Sequence, residues 1–228
     1  GNQIPNTTSG TATLTCTTYN GSTSIGSKSI TVKLNLPASV VPTITSLTVT
    51  RVDGDVPSAW GIYVQTKSKA ALSIHGAAGS YGSAITSYSI TGGGFSGTSD
   101  TMTTGFLNTA GTITFTATVT DSRGHTSAAK TVSISVVSYS VPSFSSYLSQ
   151  RCNNSGTLAD DGTYIKASVS YSYSSCSGKN SVTRATYYRK IGATSWTNAN
   201  KSFSSGTAFT FGSGNISTES TYEIKYSL

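Results

Sequence analysis

The sequence predicts an all-β chain of sandwich domains in tandem, and three observations carry that prediction. Composition is the first: Thr, Tyr, Val and Ile, which fit a pleated half-buried surface, are interleaved with Gly, Asn and Ser, which fit turns. Period is the second, since several segments alternate apolar and polar residues and no window of about 11 to 18 residues shows a helical repeat. The third is internal self-similarity at the spacing of one small domain.

That repeat orders the chain. Gly10-Thr-Ala-Thr-Leu-Thr-Cys16 runs on through Asn20-Gly21 to Val41-Pro42; Gly111-Thr-Ile-Thr-Phe-Thr-Ala117 runs on through Asp121-Ser-Arg-Gly124 to Val141-Pro142. The Val-Pro pairs lie 100 residues apart, the length of an immunoglobulin-like sandwich. In the second copy Ile113, Phe115, Ala117 and Val119 share one face of a strand, with threonines on the other; in the first copy the matching set is Ala12, Leu14 and Cys16. After each turn a second alternating run follows (Ile30, Val32, Leu34 and Val132, Ile134, Val136), so each copy predicts the last hairpin of a domain. A third copy opens with Tyr222, Ile224, Tyr226 and Leu228.

The expected fold is therefore all-β, tandem immunoglobulin-like β-sandwich domains: residues 1–41 as the closing hairpin of one domain, 42–141 as a complete domain, and 142–228 as a domain lacking its last strand. On this reading the chain is part of a longer polypeptide. Pro42 and Pro142 each begin a first strand, Gly61-Ile-Tyr-Val64 matches Gly162-Thr-Tyr-Ile165 as the second strand, and the middle strands begin at Ile85 and Val182. No Gly/Ser spacer interrupts the Val-Pro junctions, which predicts abutting domains and a stiff rod.

Charge argues against a nucleic-acid partner. The net charge of +7 is spread evenly, with 7 basic residues in 1–141 and 8 in 142–228; the densest group is only Arg184, Arg189 and Lys190. No run of about 18 apolar residues predicts a membrane span, and Gly1 to Pro5 has neither the basic start nor the apolar core of a signal peptide.

Reactive constellations are equally sparse, and no catalytic, cofactor-binding or metal residue is assigned. The histidines are His75 and His125; His125 follows Asp121 and Arg123 in a hairpin turn and reads as a solvated turn residue. Gly94-Phe-Ser96-Gly97 misses the nucleophile-elbow spacing by one residue, and Gly92-Gly-Gly94, with no Lys-Ser/Thr after it, reads as a mobile turn. Asp53, Asp55, Asp160 and Asp161 fall in corresponding loops but lack the spacing of a Ca²⁺ loop, so they read as turn formers. Cys16 sits in the slot of Ala117 and is expected as a buried free thiol. Cys152 and Cys176 fall at opposite ends of a strand pair, too far apart for a disulfide. Three free thiols suit assembly in a reducing compartment. Tyr171, Tyr173, Tyr187 and Tyr188 are expected to divide between core packing and an exposed face able to stack on sugar rings.

Two stretches carry a resemblance. Tyr187-Tyr-Arg-Lys-Ile-Gly-Ala-Thr-Ser-Trp196 resembles the middle hairpin of fibronectin type III sandwiches, where a Trp packs across the turn. The Thr-rich strand, Thr120-Asp-Ser-Arg-Gly124, the closing strand and Val-Pro resemble the tandem immunoglobulin-like modules of siphophage tail and tail-fibre proteins. The resemblance implies a non-enzymatic virion structural module acting as a spacer in host attachment, with other tail or fibre subunits as partners and no cofactor. The alternative is a glycan-binding adhesion module, or the stalk of a bacterial surface protein, with host-surface glycan as partner.

Overall fold

The computed structural model describes residues 4–228, in which every regular element but one is a strand; the exception is a single 3-10 turn at Ser58–Trp60. The chain divides after Val137 into two compact units.

The first unit opens with a hairpin, β1 (Ser9–Asn20) and β2 (Thr23–Asn35), which forms a two-stranded sheet of its own. A sandwich follows: β3 (Ser46–Asp53), β4 (Tyr63–Val64), β5 (Ser68–His75), β6 (Ile85–Gly92), β7 (Phe95–Gly97), β8 (Thr101–Thr103), β9 (Gly111–Asp121) and β10 (Lys130–Val137). One sheet has the order β3-β5-β8 and the other β4-β10-β9-β6-β7. Sheets of three and five strands, antiparallel except where the short β4 joins β10, make an immunoglobulin-like sandwich. The core lies between the sheets, where Leu72, Ile90, Leu107, Phe115, Ala117 and Val119 are buried. Along β9 the buried positions alternate from Ile113 to Asp121, following the period in the sequence.

Gly92 shows why the glycine run stands where it does. A Cβ there, at φ 154°, would lie 2.5 Å from the Thr114 carbonyl oxygen and 2.8 Å from the Phe115 Cα. Gly93 and Gly94 supply the left-handed turn joining β6 to β7. The expected mobile turn is thus a hairpin packed on the central strand.

The second strand also differs from expectation. Tyr63–Val64 is only a two-residue strand, β4, pairing parallel with Val136 and Val137. The long second strand is β5, five residues later, where Ser68 accepts the Val64 N–H through its buried hydroxyl at 3.0 Å.

The second unit holds β11 (Ser143–Cys152), β12 (Tyr164–Ser172), β13 (Ala185–Lys190), β14 (Thr197–Asn198), β15 (Ala208–Phe211) and β16 (Tyr222–Ser227). Its sheets, β11-β12-β15 and β14-β13-β16, repeat the strand division of the first unit, with no counterpart of β10 among the described residues. β13 begins three residues after the expected Val182. Aromatic rings dominate this core: Phe203 stacks on Phe209 at 5.7 Å, Tyr226 meets both edge-on, and Tyr188 and Tyr222 close the cluster beside Phe211.

All three cysteines are free. Cys152 pairs with Tyr164 at the start of β12 and Cys176 lies beyond its other end, about 30 Å away at the usual rise per strand residue. Cys16 corrects the sequence reading, because it is exposed. The hairpin shares the register of β9–β10: Ala12 faces Val32 and Leu14 faces Ile30, as Ile113 faces Ile134 and Phe115 faces Val132. Its apolar side nevertheless has no opposing sheet among the described residues, so the slot that buries Ala117 leaves Cys16 in water. Burial raises the thiol pKa of Cys152, partly countered by Lys166, and that of Cys176. The thiolate is the reactive form, so a chromogenic disulfide reagent is expected to modify one thiol quickly in the native protein and two more only after denaturation. Three fast thiols would contradict this burial pattern.

Candidate functional site

The most elaborate polar arrangement is the turn between β9 and β10. Asp121 ends β9 with its side chain pointing inward, 1% exposed. Its Oδ1 accepts the backbone N–H of Arg123 at 3.0 Å and of His125 at 2.9 Å, fixing the turn. Gly124 takes the left-handed position, at φ 82°. This local geometry aims Arg123 into the protein rather than toward solvent.

There the guanidinium reaches three carbonyls on two separate stretches of chain. Its Nε donates to the Ile4 carbonyl at 3.0 Å, Nη1 to Ser80 at 2.6 Å and Nη2 to Tyr81 at 2.8 Å; Nη1 also lies 3.8 Å from Asp121 Oδ2. Around it, the Ser122 hydroxyl donates to the Pro5 carbonyl at 2.7 Å and the Ser80 hydroxyl to Val41 at 2.6 Å. His125 Nδ1 lies 2.7 Å from the Val40 carbonyl oxygen and donates to it. Residues 4–5 precede β1 and residues 40–41 follow β2, so the turn grips both roots of the hairpin. The site is a polar joint.

The expectation of a solvated turn histidine is corrected here: His125 is half-buried and held by a backbone carbonyl. Two side chains that the sequence reading left in the turn, Asp121 and Arg123, are the buried ones. The carboxylate of Asp121 accepts backbone N–H groups, and the imidazole Nδ1 is committed to Val40, so these groups are arranged to hold chain together. Burial alone would raise the Asp121 pKa, but the His125 N–H, the Ser83 hydroxyl, the Arg123 N–H and the nearby His125 charge outweigh it, and the net shift is downward.

Other residues singled out in the sequence are dispersed. His75 Nε2 meets the Thr48 hydroxyl at 2.8 Å across β3 and β5. Asp53 pairs with Arg51 at 2.6 Å and Asp55 with Lys67 at 3.2 Å. Asp160 and Asp161 lie in a turn before β12. Among the described residues no three His, Cys, Asp or Glu side chains gather as a metal site would require. Ser96 lies within β7, not on an elbow.

The second unit carries a different surface. Tyr188, Tyr222, Ile224 and Tyr226 face its core, so Tyr187, Arg189, Glu223 and Lys225 face outward. Trp196, just before β14, lies between two cations: Arg189 is 4.3 Å and Lys225 4.7 Å from its ring centroid, and Lys225 is also 4.5 Å from the Tyr187 ring. Arg189 Nε also pairs with Glu223 at 2.5 Å. Tyr171 meets Phe203 edge-on at 5.7 Å and accepts a hydrogen bond from Arg184 at 3.0 Å. The tyrosines thus divide between core and surface.

Fold and joint together define a protein of immunoglobulin-like sandwiches arranged in succession. The chain belongs to the family described as "Siphovirus protein of unknown function (DUF859)", which it matches over residues 1–215. No curated protein matches it in sequence. Among solved structures it is similar to the FN1–FN3 domains of chicken CNTN1, with 8% identity, a TM-score of 0.25, and coverage of 85% of this chain and 64% of that one. It is also similar to the three N-terminal domains of the highly immunogenic outer capsid protein (Hoc) of bacteriophage RB49, with 12% identity, a TM-score of 0.32, and coverage of 89% and 72%. The assignment rests on the family match and on the strand order of the two units, not on these distant likenesses.

Proposed function

We propose that this siphovirus protein is a structural module of the phage tail or tail fibre, a stiff non-enzymatic spacer that holds the host-attachment apparatus away from the particle, with other tail or fibre subunits as its partners. The observation that carries this reading is the joint at Arg123. One buried guanidinium bonds chain before the hairpin and two carbonyls of the sandwich, while His125 bonds chain after the hairpin. A joint fixed at several carbonyls resists bending in a way that a Gly/Ser linker does not. Immunogold labelling of intact virions with antibody to this chain tests the placement. Gold along the tail or its fibres is the expected result; gold on the head, or none on particles, would overturn it.

A second reading rests on the outward ladder of Tyr187, Trp196, Arg189 and Lys225, which offers aromatic edges and cations to an anionic host glycan. Binding of the purified chain on an array of cell-wall glycans, lost in Trp196→Ala, would favour it over a pure spacer.

A further inference from the structure

The second unit holds a polar cleft beside its aromatic core. It lies on the β14 side of β13, where the turn joining those strands meets the segment between β15 and β16. Its volume is about 340 Å³, at the lower end of the range for small-ligand sites. The floor is aromatic: Tyr188 and Tyr222 are half-buried, with ring centroids 6.2 Å apart. Lys190, Ser195, Thr197 and Asn215 stand around it. Lys190 pairs in register with Tyr222 and Thr197 with Tyr188, so these residues share the face of the sheet that carries the two rings.

The walls are fixed, yet the groups on them are free. The Ile191 N–H donates to the Thr221 carbonyl at 2.9 Å, and the Ala193 N–H to that of Lys190 at 3.0 Å, which ties the β13–β14 turn to the chain entering β16. The Tyr222 hydroxyl donates to the Asn215 carbonyl at 3.3 Å and accepts the Ser217 N–H at 3.1 Å. Among the described residues, by contrast, no hydrogen bond or ion pair engages Lys190 Nζ, Ser195 Oγ, Thr197 Oγ1 or the Asn215 carboxamide. No described carboxylate lines the cleft, and Arg189, which also lines it, is paired with Glu223. Lys190 is left as the unmatched charge.

These features select a ligand chemistry. A flat apolar floor suits the C–H face of a pyranose ring, hydroxyl and carboxamide groups suit its hydroxyls, and an unmatched ammonium suits an anionic substituent. We propose, resting on the glycan reading of the second unit, that this cleft seats one hexose-sized residue of an anionic glycan. The sugar ring lies on Tyr188 and Tyr222, and its phosphate or carboxylate meets Lys190. Arg189 belongs both to the cleft and to the Trp196 ladder, so a glycan seated in the cleft continues onto the ladder.

Amide NMR titration of the whole chain with glucose 1-phosphate, glucuronic acid, neutral glucose and inorganic phosphate tests this. At least one charged sugar is expected to shift the amides of residues 190–197 and 215–222 with a dissociation constant of about 1 mM, the strength a ligand of this size supplies. Which of the two binds identifies the anionic group. Neutral glucose should bind about tenfold more weakly, since it offers Lys190 no charge. Lys190→Gln should weaken the charged sugar by about tenfold with the rest of the spectrum unchanged, because Lys190 is exposed and unpaired. Lys179→Gln, an exposed lysine outside the cleft, should leave binding as it was. Inorganic phosphate binding as tightly as the sugar, equal losses in both lysine variants, or no shift at these amides overturns the cleft. Glycan-array binding abolished by Trp196→Ala but untouched by Lys190→Gln overturns it while leaving the ladder reading in place. A chain silent both on the array and toward the sugars removes both.

Discussion

Arg123→Ala is expected to destabilise the first unit by about 3–5 kcal/mol, the range for removing one partner of a buried ion pair. The change strands four groups at once. Asp121 keeps a buried carboxylate without its counter-charge, and the carbonyls of Ile4, Ser80 and Tyr81 lose their donor. Arg123→Lys should recover only part of the loss, since an ammonium is a point charge and cannot span three carbonyls as a planar fork does. Thermal unfolding of the variants beside wild type gives the comparison. A pH series supplies a second readout. The folded pKa of Asp121 is below its unfolded value, so its contribution is fully present above about pH 4 and is lost as pH falls through the folded pKa. Asp121→Asn should flatten that acid limb while lowering stability at neutral pH. A wild-type-like melting temperature for Arg123→Ala would mean that the guanidinium does not hold the joint.

The parts of the fold legible in the sequence were those with a period. β9 and β10 could be read from Ile113 to Val136 because a strand with one buried face repeats every two residues. The family resemblance rested on those same strands and on the Asp-Ser-Arg-Gly turn. β4 was misread because two residues carry no period; its neighbour Gly61 drew the alignment five residues away from β5. The joint was missed for a different reason. A charged residue in a hairpin turn ordinarily faces water, and only tertiary packing brings Ile4, Ser80 and Tyr81 to Arg123. One signal was available: in a chain with 10% charged residues, an Asp and an Arg two positions apart in a tight turn are conspicuous. Cys16 was misplaced because strand alternation names a face and not what covers it. The aromatic core of the second unit was half-visible: Tyr188 and Tyr226 lay on alternating strands, but Phe203 precedes β15 in a segment with no strand period.

Phe115→Ala is the other substitution with a large expected effect, about 3–5 kcal/mol of the first unit's stability. Phe115 is fully buried at the middle of β9, flanked by β10 and β6 and packed under Gly92, whose lack of a Cβ lets the β6–β7 hairpin sit against it. Truncation leaves a cavity that these strands cannot close, because their spacing is fixed by backbone hydrogen bonds. Leu14 holds the same repeat position in the hairpin, opposite Ile30 as Phe115 is opposite Val132, yet it is 58% exposed. Leu14→Ala is therefore expected to change the stability of dilute protein by less than about 0.5 kcal/mol. The two units have separate cores, so Phe115→Ala should lower one calorimetric transition and leave the other in place, and Phe211→Ala should do the reverse. If Phe115→Ala shifts both transitions together, the units unfold as one cooperative body; if it shifts neither, the β9 face is not the core on which the first sandwich depends.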